Sequence, residues 1–251
     1  MRRALRLLLA AVLLVGPACG GDDKEPAAVS PEDGLHFVTE FLLGIAEAGG
    51  KVAPWYRTLD EVTPNVVYVY PDGRTKRLSD LAVVGRFVGL EEGAGFVVSE
   101  DAPDGTPTRF DNPNAKWRSV HGVVEVERSV GGGEAPKQLK VSLPLYSHED
   151  FAKFDAGLRA LGRVVLLLDA DSVLVRYDPS LYVVADNHVF IATVADDETL
   201  ALPMFPPERA TALLAPPGVR KLSELDNRAR TPRKVVLTPG PHPDMPTRGP
   251  A

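Results

Sequence analysis

The most constraining feature lies in the C-terminal half of the chain. Five apolar runs, 163–168, 172–177, 181–185, 189–194 and 199–204, alternate there with short polar separators. The separators Asp169-Ala170-Asp171, Asp178-Pro179-Ser180, Asp186-Asn187-His188 and Ala195–Glu198 are centred near 170, 179, 187 and 197, so the chain reverses every 8 to 10 residues. Asp, Asn and Ser hold turns by bonding nearby backbone, Pro fixes φ, and the branched apolar runs between them suit strands. A parallel sheet needs a crossover of a dozen or more residues after each strand, and no separator is that long. The spacing therefore predicts an antiparallel meander.

The rest of the chain divides in the same way. Leu35, Val38, Leu42 and Ile45, widened by Phe37 and Phe41, form a helical stripe over 35–48 that Gly49-Gly50 ends. Phe151, Phe154, Leu158 and Leu161 predict a second helix over 148–161, and short helices are expected at 207–214 and 222–227. Strands are expected at 65–70, 82–90, 95–99, 117–130 and 139–143. Within 117–130, Val120, Val124, Val126 and Val130 share one face, with His121, Glu125 and Glu127 on the other, the pattern of a half-buried strand. With 22 Gly and 23 Pro, long uninterrupted helices are not expected. The reading is a mainly β fold, either a curled antiparallel sheet or a small β-barrel. A C-terminal meander and two or three short helices complete it.

The N-terminus reads as an export signal over 1–18. Basic Met1–Arg6 precedes an apolar run from Leu7 to Val15 and the small residues Gly16-Pro17-Ala18. The run is about half the roughly 20 residues that span a bilayer. Ala18-Cys19 at its end resembles the lipobox of bacterial lipoproteins. There, signal cleavage leaves the cysteine as a lipid-modified N-terminus; Gly16 and Pro17 depart from the usual branched and small residues. The resemblance implies lipidation at Cys19, a membrane partner reached through that anchor, and residence on the outer face of the cell membrane. Ordinary signal cleavage before Cys19 is the alternative. Loss of Arg2, Arg3 and Arg6 would take the net charge from −6 to −9. Such a body is repelled by an anionic bilayer, so the anchor acts as a tether.

Residues 19–34, rich in Gly, Pro and acidic side chains, read as a flexible stalk, 35–237 as a single β-rich domain, and 238–251, with five prolines, as a disordered tail. The stretch Leu78-Ser79-Asp80-Leu81-Ala82-Val83-Val84-Gly85-Arg86-Phe87-Val88 and the later Gly162–Leu168 resemble the opening and closing strands of exported actinobacterial proteins with OB-like barrels of the netrin-module type. The resemblance implies an OB-like barrel over about residues 78–195 and carries no functional residue.

Chemistry is sparse in the sequence. There is no nucleophile elbow, phosphate loop, zinc-binding H-E-x-x-H or dinucleotide fingerprint. One cysteine excludes an internal disulfide or a multi-cysteine zinc site. The acidic balance argues against a nucleic-acid partner. No cofactor or metal is expected, since Val173 and Leu174 break the calcium-loop pattern begun by Asp169 and Asp171. His36, His121, His148, His188 and His242 form no motif. Tyr68 and Tyr70, on one strand face, together with Trp117, are the candidate ligand-binding residues, as an aromatic platform. The expected function is a non-catalytic binding domain for a protein, peptide or envelope ligand. Two alternatives stand beside it: a hydrolase using Asp169, Asp171, Asp196 and Glu198, and a purely structural envelope protein.

Overall fold

Strand β3 (Leu81–Ser99) organises the fold. Sequence spacing predicts two strands here, but the backbone runs on through Glu91–Ala94 and bends at register shifts after Val84, Phe87 and Glu92. One edge pairs along its length with β5 (Trp117–Ser129). On the other edge, its first half pairs with β7 (Arg163–Asp169) and its second half with β4 (Ala102–Thr108). The computed structural model describes residues 29–48, 56–169, 178, 180–185, 190–216, 218–239 and 246–248. The expected signal, Cys19, Asp171, the run 172–177, His188 and His242 lie outside the described residues.

From β5 the hydrogen bonding continues to β6 (Gln138–Leu145), then to β8 (Leu181–Val184), and from β8 back to β7. Five strands thus close a ring in the cyclic order β3-β5-β6-β8-β7. Among the described residues, the β7–β8 seam carries Leu168↔Val184 and Asp169↔Val183. In chain order this is first, second, third, fifth, fourth, the pairing of a five-stranded OB-like barrel. The third and fifth strands run parallel, so the sheet is mixed where a wholly antiparallel one was expected.

The C-terminal meander needs a second correction. Strands β8 and β9 (Ile191–Val194) do not pair as sequence neighbours; both lie along one edge of β7, β9 at Val164–Leu166 and β8 at Leu168–Asp169. Turn spacing dictates where a chain reverses, but not which strand it reverses onto. Within the meander, among the described residues, β9 and β10 (Leu200–Ala201) form a simple hairpin, closed by a turn in which Glu198 adopts φ 67°.

Four α-helices occur among the described residues: α1 (Pro31–Ala48), α2 (Phe151–Ala160), α3 (Pro207–Leu214) and α4 (Leu222–Ala229). Helix α1 begins four residues before the predicted stripe, inside the expected stalk. The Ser30 hydroxyl accepts from the Asp33 amide (3.1 Å), Pro31 opens the first turn and Glu32 and Asp33 favour the helix dipole. Helices α1 and α2 cross at Gly34 and Gly157, where a methyl group on Gly34 would lie 2.6 Å from the Gly157 nitrogen. The close crossing sets Phe154 edge-on to Phe37 and Phe41.

A second sheet joins the two ends of the domain in the order β12-β11-β1-β2. β1 (Val66–Val69) pairs in parallel with β11 (Arg233–Pro239) and antiparallel with β2 (Thr75–Lys76). Part of the expected disordered tail is ordered: β12 (Pro246–Arg248) folds back on β11, with Pro239 opposite Pro246 at a sheet edge. Before β1, the buried Asp60 carboxylate accepts from Arg233 (2.6 Å), and Arg228 lies 3.5 Å away. Asp226 on α4 accepts from Arg128, Arg230 and the Gly131 amide, tying that helix to the β5–β6 turn. Apolar residues of both sheets and of the helices merge into one core. Among the described residues, no helix is long and apolar enough to cross a membrane.

Candidate binding cleft

The cleft begins with a turn. β1 stops at Tyr70, whose amide donates to the Arg74 carbonyl (2.8 Å), and Gly73 takes φ 84°. The Asp72 carboxylate accepts from the Arg74 amide (3.0 Å) and the Arg74 Nε (2.5 Å), and these bonds hold its pKa below the usual carboxylate range. The chain returns as β2, carrying Thr75 and Lys76, then Arg77. It is pinned by buried Leu78 and by the Ser79 hydroxyl, which donates to the Val62 carbonyl. The Asp80 amide then donates to the Leu168 carbonyl (2.7 Å), fixing the hairpin beside the end of β7.

The space left is a cleft of about 630 Å³ lined by Val67, Tyr70, Arg74, Thr75, Lys76, Arg77, Asp80 and Asp169. The Arg74 guanidinium lies 5.7 Å from the Tyr70 ring centroid, within cation–π range. Lys76 and Arg77 are exposed, and neither makes an ion pair with another described residue. Asp80 and Asp169 are each engaged in an interaction of their own.

The expected aromatic platform is not assembled. Tyr68 and Tyr70 do share a face, but it is the inner one: Tyr68 is fully buried, and only Tyr70 reaches the cleft. Trp117 belongs to the other sheet and stacks flat on Phe96, with ring centroids 3.8 Å apart. The candidate carboxylates do not converge either. Asp169 ends β7, whereas Asp196 and Glu198 lie in the β9–β10 turn, toward the strand's opposite end. With β7 rising about 3.3 Å per residue, the two places are on the order of 20 Å apart. Several aspartates simply hold turns: Asp178 and Asp197, like Asp72, accept from the amide two residues ahead.

His121 sits across from Ser142 between β5 and β6. The Ser142 hydroxyl is buried with no hydrogen-bond partner, so the two do not form a nucleophile–base pair. Burial lowers the His121 pKa, opposed by nearby Asp178. His36 and His148 are exposed on or beside helices. Among the described residues, no three His, Cys, Asp or Glu side chains converge as a metal-ligand set.

Sequence reasoning passed over Arg74, Lys76 and Arg77. The signal was available, since three cations within four residues directly after Pro-Asp-Gly stand out in a chain of net charge −6. The chain matches no family model, no curated protein and no solved structure.

Proposed function

We propose that this chain is an exported, lipid-anchored, non-catalytic binding domain that takes an envelope ligand into the cleft beside the β1–β2 hairpin. One observation carries the reading: a pinned turn holds Tyr70 and exposed cations around an open space large enough for a small ligand or a peptide end. The basic–apolar–small leader ending at Cys19 supports the address. A chain rises at most about 3.6 Å per residue, so a lipid on Cys19 would keep Pro31 within roughly 40 Å of the bilayer. The ligand would then be met close to the membrane.

Two measurements test this. Cys19→Ala should move the chain from the membrane fraction to the soluble one; unchanged association refutes the anchor. A photo-crosslinking residue at Thr75 should give adducts on intact cells, and the same residue at exposed Glu208 on α3 should give none. Equal yields at both positions, or none at either, would overturn the cleft as the ligand site.

A further inference from the structure

We infer that the ligand of this cleft carries a phosphate-type anionic group held between Lys76 and Arg77; this rests on the binding-domain reading and names the ligand class of the same site. The chain is acidic overall, yet Arg74, Lys76 and Arg77 all line one cleft. Arg74 is neutralised by Asp72 at 2.5 Å. Lys76 and Arg77 make no ion pair with a described carboxylate, so both charges remain available to a ligand in the cleft. A plainer account is that Lys76 guards the open edge of β2 against strand pairing. That account covers Lys76 but not Arg77, which lies beyond the strand and still lines the cleft.

The pairing of a guanidinium fork with a lysine point charge suits phosphate oxygens, which offer both bidentate and single acceptor positions. Asp80 and Asp169 line the same cleft and are engaged, but their charge repels an anion, which favours a place beside Lys76 and Arg77. The cleft exceeds one phosphate in size, leaving Tyr70 and Val67 to contact the rest of the ligand. The same group could be presented by a soluble phosphate ester or by a lipid headgroup.

The full chain carrying Cys19→Ala, which removes the anchor from the measurement, is titrated with inorganic phosphate and pyrophosphate by calorimetry. It is separately sedimented with vesicles of phosphatidylcholine, alone or mixed with phosphatidylglycerol. The double variant Lys76→Gln/Arg77→Gln should bind its anion at least about tenfold more weakly, as expected for losing two charge-assisted contacts. Exposed Lys137→Gln should change binding less than about twofold, as expected for a distant, screened surface charge. Asp80→Asn should tighten binding, an effect of opposite sign that a misfolded variant would not produce. Pyrophosphate binding lost in the double variant supports a soluble ester, and loss of phosphatidylglycerol-dependent sedimentation supports a headgroup. Equal weakening by Lys137→Gln would mean diffuse surface charge and overturn the inference. If no probe binds while the Thr75 crosslink still forms, the ligand class is wrong and the binding-domain reading stands. If probes bind without any cellular crosslink, it is the cellular reading that fails.

Discussion

In the ring, β7 is buried on both faces from Val164 to Leu168; in the four-stranded sheet, β1 alternates buried and half-buried residues and β11 leaves Val236 61% exposed. The ring draws on apolar burial from every side, which is non-directional and insensitive to salt. The smaller sheet joins segments far apart in sequence, so its pairing bears a larger loop-closure entropy. Its attachment is directional and polar: Asp60 with Arg233, and the Asn65 side chain donating to the Ala229 carbonyl. The cleft lies where these two constructions meet, between the β1–β2 hairpin and the end of β7. The proposed site would then have one wall held by apolar burial and one held by directional polar contacts.

Four measurements bear on the contrast. Leu166 is fully buried between β3 and β9, and Leu166→Ala should cost about 4 kcal/mol in urea denaturation, with little dependence on salt. A cost below about 1 kcal/mol would remove the basis for calling the ring the stable half. Asp60→Asn removes the buried charge facing Arg233 and Arg228, while the Asp60 carbonyl still accepts from Arg233, and should cost about 2 kcal/mol. Hydrogen exchange should show protection lost first in β1 and β11 while β5 and β6 keep theirs; uniform loss would mean that the two sheets open as one unit.

The fourth concerns Asp226, which ties α4 to the ring. Burial raises its pKa, but hydrogen bonds from Arg230, the Gly131 amide and Arg128 outweigh it and bring it from the ordinary 3.8 to about 2. The folded value is depressed, so this stabilisation is complete above about pH 4 and is lost as pH falls through about 2. The contribution is about 2 kcal/mol, and Asp226→Asn should flatten the stability curve across that window. A wild-type curve already flat there would show that the contacts of Asp226 do not stabilise the fold.

The sequence made the local elements legible and left the long-range ones hidden. Periodic apolar spacing placed α2 to within three residues at its start and one at its end, because it buries Phe154 and Leu158 on one stripe, and the expected helix at 207–214 coincides with α3. The strands 117–130 and 139–143 also stand close to β5 and β6. Hidden were the parallel β6–β8 pairing, the placing of β8 and β9 on one edge of β7 and the β1–β11 pairing, each decided by packing between distant segments. The start of α1 depended on a cap at Ser30 rather than on apolar spacing. Tyr68 was misjudged because alternation identifies a face without saying which face is inside. The cleft was invisible as a site because Lys76 and Asp169, which face one space, are far apart in the chain.

The parallel pairing of β1 with β11 has a consequence for biosynthesis. The hairpin that carries Tyr70 and Lys76 is made well before its supporting neighbour, which begins only at Arg233. A nascent or C-terminally trimmed polypeptide would therefore display those side chains on an unsupported ribbon. The cleft wall is therefore completed only after β11 has emerged and paired with β1.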